Sequence, residues 1–409
     1  MTIRFSTNAL FQSSTNQLNL LQSQMARTQM QLSKNSRLLT AADDPIAAAR
    51  ALEVTQSQAM NTQFGTNRSA AKTSLSLVEQ TLQGVTGQIQ DIQSLIVTAG
   101  NGIYNQSDRE ALATELEGRL AEMFGLANTA DGTGGYLFSG YRSTVQPFQP
   151  TADGSLYQGD QGQRSLQVGS SRKMAVSENG SAIFEAIVTG NGHFQTQASA
   201  ANAGSGVISA GSATDLGKLT GHDYVISFSV GGTPAVTTYT VTDKMATDDT
   251  GLPRNQPYVS GAAIAFDGLS FDIEGAPADG DSFSVEPSAR QSVFTTVTDL
   301  IKTLRAPADT PAGKTALANG LRVASTNMKN ALDNVLTVQA SIGSRMKEID
   351  YLDDDGADLN VQYQSTLSGL QDLDMVKAIS LFTQQQQTLQ AAQVSFKTMS
   401  GLSLFNYIG

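Results

Sequence analysis

The stretch LSLVEQTLQGVTGQIQDIQSLIVTA, residues 75–99, decides the fold class of this chain. Leu75, Leu82, Ile89 and Ile96 fall seven residues apart, and Val78, Val85, Ile92 and Ala99 form a second column three residues further on. A seven-residue column drifts only about 20° per heptad on a straight helix, so each makes a nearly straight apolar seam. Together they are the full a/d seam of coiled-coil packing. Three more columns lie elsewhere: Phe11, Leu18, Met25, Leu32 and Leu39; Leu321, Met328, Val335, Ile342 and Ile349; and Met375, Phe382, Leu389 and Phe396. One column alone describes the core of any helical bundle. Four, placed symmetrically about a different kind of sequence, predict long helices packed side by side.

The middle is that different kind. Residues 131–287 carry most of the glycine, with short alternating apolar runs and frequent turn signals, the pattern of antiparallel sheet. YVISFSV (224–230) puts Tyr224, Ile226, Phe228 and Val230 on one face, and TTYTVTD follows Gly231 and Gly232. Asp267–Gly268 divides IAFDGLSFDI (264–273) into a second hairpin. The expected fold class is α+β: an elongated multi-domain rod of long coiled-coil-like helices from both termini, with an inserted antiparallel β domain. Residues from about 190 to 262 read as an outer decoration that the helices do not need.

Between the first two helical stretches stands LLTAADDPIAAAR, residues 38–50. Paired carboxylates are candidates for acid–base or metal chemistry, but Pro45 settles the reading. Proline suits the first helical position, where a missing N–H costs nothing. Asp44 is then the N-cap, its carboxylate near the positive helix end, and proline keeps it out of helical dihedrals. Asp43, Asp44 and Pro45 are therefore a helix break. YLDDDGADLN (351–360) matches a calcium loop at Asp353, Asp355 and Gly356, but Tyr351 holds the first position and Gln362 the twelfth. Without the bidentate glutamate, it reads as a loop or helix end.

The outermost columns are weaker than the inner ones. Ser14 and Thr28 flank Leu21 in the first; Gln386 and Gln393 follow Ile379 in the last. Burying one leucine or phenylalanine contributes roughly 1.5–3 kcal/mol, against about 1–2 kcal/mol of backbone entropy for each ordered residue. These end helices need neighbours. Phe11, Leu18, Leu21, Met25, Leu32, Met375, Ile379, Phe382, Leu389 and Phe396 are the candidate subunit-packing residues. The QQQQ run (384–387) fits a solvated helix face or a polar, reversible subunit contact equally well.

Composition excludes much else. The chain has 409 residues, a net charge of -11, two histidines and no cysteine or tryptophan. Disulfides, thiolate metal sites and cysteine nucleophiles are thereby excluded, and an acidic chain repels nucleic acid. No apolar run approaches the roughly 20 residues that span a bilayer, and the N-terminus lacks the apolar core of a cleavable secretion signal. His193 and His222 read as isolated surface histidines. No phosphate loop or nucleophile elbow is present, so neither an enzyme nor a cofactor site is expected.

IRFSTNALF (3–11), AADDPIAAARAL (41–52), LANTADGTGGYLFSGYRSTVQPF (126–148), GDSFSVEPS (280–288), LQDLDMVKAIS (370–380) and SLFNYIG (403–409) occur in that order. In this arrangement they resemble the bacterial flagellin family, most closely its branch at the hook–filament junction. Filament flagellins usually lack the proline of AADDPIAAARAL; a filament flagellin remains the alternative. The resemblance implies a terminal helical assembly domain (1–44 plus 366–409), a helical rod domain (45–141 plus 287–365) and an outer β-rich domain (142–286). It implies a structural, non-catalytic part, exported without signal cleavage to the cell exterior. The implied partners are further copies of itself, hook-associated protein 1, flagellin and an export chaperone. Residues 187–263 match no motif of that family.

Overall fold

A computed structural model describes residues 7–246 and 251–401. The ends of two resemblance motifs, residues 3–6 and the SLFNYIG ending, lie outside the described residues. Seven α-helices occur among those described: α1 (Thr7–Lys34), α2 (Pro45–Ala99), α3 (Gln106–Ala127), the short α4 (Gly180–Phe184), α5 (Val293–Arg305), α6 (Pro311–Gln371) and α7 (Met375–Gly401). The fold class is α+β, with long helices from both ends of the chain and antiparallel sheet between them. Contacts divide it into two compact units, residues 1–66 with 351–409, and residues 67–350.

In the 67–350 unit the seam of residues 75–99 is buried along its whole length, from Leu75 at 0% exposure to Ile96 at 5%. Leu321, Met328, Val335, Ile342 and Ile349 are buried on α6. Polar pairs fix the direction of packing. Lys72 reaches Asp350 (2.6 Å) and Thr86 reaches Gln339 (3.3 Å), so α6 runs antiparallel to α2. Gln88 donates to Glu122 (2.7 Å) and Arg119 meets Asp91 (3.2 Å), so α3 does the same. Exposed pairs of this kind contribute at most about 1 kcal/mol each; the apolar seam supplies the stability. Where α3 crosses α2, a Cβ on Gly84 would stand 3.1 Å from Leu126, which the glycine avoids.

Where the chain leaves the helices, five phenylalanines from five separate segments converge. Phe124 of α3 stacks on Phe294 of α5 with centroids 4.2 Å apart. Phe148 and Phe184 meet Phe294 at 5.2 and 5.7 Å, and Phe138 meets Phe184 edge-on at 5.6 Å. Asn128 holds Phe148 in place, accepting from its backbone N–H and donating to its C=O, both at 2.9 Å.

Beyond this cluster, strands from Phe194 to Pro287 build a five-stranded antiparallel sheet and a smaller four-stranded path. Tyr224, Ile226, Phe228, Phe271, Ile273 and Phe283, drawn from both, share one core. Both expected hairpins are present. Asp267 (φ 44°) and Gly268 (φ 76°) form the two-residue turn with two left-handed residues that this dipeptide favours. In the other hairpin the turn is displaced: Gly231 is still paired, opposite Val236, and residues 232–235 make the connection.

The β domain joins the helices by a narrow neck. Ile187–Val188 pairs with Arg290–Gln291, and Thr189 N–H donates to Ala289 O at 2.9 Å. Above and below the neck, four asparagines on α6 bond to the main chain. Asn319 accepts from Ile208 N–H (3.0 Å) and donates to Gly206 O (3.0 Å); Asn327 accepts from Gly190 N–H (3.1 Å). Asn330 donates to Val188 O and Gly190 O (both 2.8 Å), and Asn334 to Ala182 O and Ile183 O (3.0 and 2.9 Å). A cut at 190–262, which the sequence invites, would divide both sheets, because Ser282–Pro287 pairs with Phe194–Ala198 and with Tyr224–Ser227. Replacing residues 191–287 by a short glycine–serine turn respects the neck. That variant should keep its helix signal in circular dichroism and melt within a few degrees of the parent. Loss of helix would show that the β domain is needed to fold the bundle.

Two further expectations are corrected. YLDDDGADLN is neither loop nor helix end but lies inside α6. Its Gly356, costly in a helix by about 1 kcal/mol relative to alanine, is buried, and its carbonyl accepts from Asn61 Nδ2 at 2.7 Å. Nor is His222 isolated: its Nδ1 lies 2.7 Å from the buried Asp243 carboxylate.

Candidate assembly interface in the terminal helices

The unit of residues 1–66 and 351–409 contains two helix breaks, one from each end of the chain. At the first, α1 ends in a Schellman motif: Asn35 takes a left-handed φ of 49°, its N–H donates to Leu32 O, and Ser36 N–H donates to Gln31 O. Asp43 then accepts from the Leu39 and Thr40 amides at 2.8 and 3.0 Å and pairs with Arg27. The amides of Thr40 and Leu39, with Arg27 beside them, hold its carboxyl below the usual carboxylate range. Asp44 Oδ1 accepts from Ala47 N–H at 3.0 Å, and α2 begins at Pro45. The two aspartates thus do different work: Asp43 ties down the loop and Asp44 caps the next helix.

At the second break α6 ends at Gln371 and α7 starts at Met375, with Asp374 Oδ1 accepting from Lys377 N–H at 3.1 Å. The breaks are fastened together. Arg37 N–H donates to Gln371 O (2.7 Å), its guanidinium to Leu370 O (2.8 Å), and Ser36 bridges to Asp372. Losing an N-cap costs about 1 kcal/mol, so Asp44→Ala should destabilise this unit by about that much. Asp44→Asn, which keeps the acceptor, should cost a few tenths. Urea unfolding followed by circular dichroism separates them; equal losses would mean that the Asp44 charge, not its cap, matters.

Helices α1 and α7 pack on each other. Leu18, Leu21, Met25 and Leu32 face α7 half-buried, as do Phe382 and Phe396 from the other side, and Leu389 is only 7% exposed. Phe11 keeps a half-exposed ring with its centroid 4.8 Å from that of Phe396. Eight of the ten residues expected to face other subunits are therefore wholly or partly covered within one chain, because the two weak columns cover each other. Met375 and Ile379 remain on the surface. Gln384, Gln386 and Gln387 are exposed.

The heptad reading missed the rest of the α7 surface. Val376 is 80% and Val394 65% exposed, and Leu381 and Met399 are exposed too. Val376 and Val394 are separated by eighteen residues, and so are Leu381 and Met399. Eighteen residues make five helical turns, so each pair lies on one line along the helix. A search at that period finds them; a search at seven does not. Leu20 and Met30 are the exposed counterparts on α1.

A solved structure of FlgL from Xanthomonas campestris is 30% identical, superposes with a TM-score of 0.69, and matches 77% of this chain and 99% of its own. The chain belongs to the flagellar hook-associated protein 3 (FlgL) family. The FlgL-family assignment extends end to end: flagellar hook-associated protein 3 of Escherichia coli is 28% identical over 98% of this chain and 99% of its own. The flagellar junction protein FlgL of Legionella pneumophila has a TM-score of 0.72 and 28% identity, with 79% of this chain and all of that one covered. Residues 5–143 match the bacterial flagellin N-terminal helical region. Residues 197–287, most of which carry no motif of the flagellin family, match the D2-like domain of flagellar hook-associated protein 1.

Proposed function

We propose that this chain is a structural part of the bacterial flagellum, the adaptor between hook and filament, and that it assembles through its terminal helices. The observation that carries the assembly reading is the circumference of α7. Exposed apolar side chains stand among its glutamines on sides that α1 leaves uncovered, and a helix face of that kind gains by burial against a neighbour. Val376, Ile379, Leu381, Val394 and Met399 then meet neighbouring subunits, while the Phe11–Phe396 and Leu389 contacts hold the pair together within each chain. Residues 1–44 with 366–409 act as the assembly domain, 45–141 with 287–365 as the helical support, and 142–286 as the outer domain. The partners are further copies, hook-associated protein 1 towards the hook, flagellin towards the filament, and a chaperone before export. Export through the flagellar channel needs no cleaved signal, and no catalytic step is involved. Immunogold labelling of isolated flagella tests the location. A narrow band at the hook–filament boundary is expected; label along the whole filament would make the chain a filament flagellin instead.

A further inference from the structure

In this chain four asparagines stand directly before a glycine, at positions 101, 179, 191 and 319. In such a pair the side-chain amide carbon lies close to the next backbone nitrogen, and a glycine puts no Cβ in the way of their approach. Whether the two atoms meet depends on what else holds them. Three of the pairs are held. Asn179 Oδ1 accepts from Ala182 N–H at 2.8 Å, and the buried Gly180 donates its N–H to Phe138 O at 2.9 Å. Asn191 accepts from the His193 and Phe194 amides at 3.0 and 2.9 Å and donates to Ala210 O at 3.1 Å. Gly192 N–H donates to Thr189 O at 3.3 Å. Asn319 is buried within α6, where its Nδ2 serves Gly206 O and Thr315 O, and a helix commits each N–H to the carbonyl four residues back.

Asn101 differs. With Gly102 it stands in the turn between α2 and α3, and both residues are exposed. Among the described residues neither Asn101 Nδ2 nor Gly102 N–H has a hydrogen-bond partner in the protein. One long bond restrains the side chain, Oδ1 accepting from Ile103 N–H at 3.4 Å. A Cβ on Gly102 would meet nothing within 4 Å, so the backbone there has room to turn. We infer that Asn101 is a site of spontaneous modification, deamidation to aspartate and isoaspartate. The Gly102 nitrogen attacks Asn101 Cγ, and the new C–N bond closes a five-membered succinimide. The side-chain nitrogen leaves as ammonia and takes with it the proton from Gly102. Water then opens the ring at either carbonyl, and the acid formed ionises. No oxidant, metal or enzyme is required. The product carries one more negative charge at the α2–α3 turn, in the cleft that Asn101 lines together with Lys314. The modified fraction rises with the age of the molecule.

The test ages the purified full chain in neutral and in mildly alkaline buffer made with heavy-oxygen water, and reads its peptides by mass spectrometry. Asn101 should convert about tenfold faster than Asn179, Asn191 or Asn319, the factor for a hydrogen bond that must first break. The converted peptide should hold one heavy oxygen and include isoaspartate. Conversion should quicken as pH rises, because the attacking nitrogen must shed its proton. In urea, where nothing holds the other three, the four sites should convert at similar rates. Gly102→Ala, whose added Cβ meets nothing in the fold, should keep the helix signal in circular dichroism and slow the loss of Asn101 alone. Equal rates at all four sites in the folded chain would overturn the assignment. So would a preference for Asn101 that persists in urea, conversion without heavy oxygen, or an unchanged rate in the Gly102 variant.

Discussion

Phe294→Ala should lower the unfolding free energy of the 67–350 unit by about 3–5 kcal/mol, the range for truncating a buried phenylalanine. Phe294 is fully buried, and its ring touches those of Phe124, Phe148 and Phe184. Removing it opens a cavity where α3, α5 and the departing chain meet, and that cavity cannot collapse without shifting three other rings. Aromatic pairs add about 0.5–1.5 kcal/mol beyond area burial, so Phe294→Leu should recover only part of the loss. The chain has no tryptophan, so unfolding is best followed by far-ultraviolet circular dichroism in urea. A shift of the midpoint no larger than that of a surface alanine substitution would show that the cluster is dispensable.

The second large effect lies in assembly rather than folding. Val376→Asp with Val394→Asp places two carboxylates on one line of α7, both at positions that are mostly exposed in the single chain. Surface changes of this kind usually alter stability by less than about 0.5 kcal/mol each, so the monomer should melt normally. In the assembled flagellum each carboxylate would be buried without a partner, at an effective cost of several kcal/mol. Junction formation should fail, and the cells should secrete the protein and flagellin without growing filaments. Leu389→Ala gives the converse: Leu389 is covered inside the chain, so its truncation should loosen the α1–α7 pair in the monomer itself. Normal swimming of the double aspartate variant would remove α7 from the interface.

The sequence makes the strong seams legible because their information is local. Leu75 to Ala99 repeats with one period on one helix, and burial follows whatever helix lies opposite. Asp44–Pro45 is legible for the same reason, since a cap and its helix are neighbours in the chain. The terminal columns are harder. Their half-polar character marks a need for partners, but not that the nearest partner is the other end of the same chain, more than 300 residues away in sequence. DDDGAD reads as a loop because aspartate and glycine disfavour helix locally, yet α6 carries the run through on packing and on the Asn61 hydrogen bond. The phenylalanine cluster has no period at all: positions 124, 138, 148, 184 and 294 come together only in space.

Besides one bond from Asn327 to a side chain, Gln291 Oε1, at 3.3 Å, the four asparagines of α6 grip the neck, the β domain and α4 through seven bonds to backbone N–H and C=O groups. Such a contact is indifferent to the side chains of the segment it grips. The outer strands are therefore free to change residue by residue, under attack by antibodies or phage for instance, while their hold on the helix stays as it was. The constraint falls mostly on one partner: exchange an outer strand residue and these bonds survive; exchange Asn319 or Asn330 and two of them go at once.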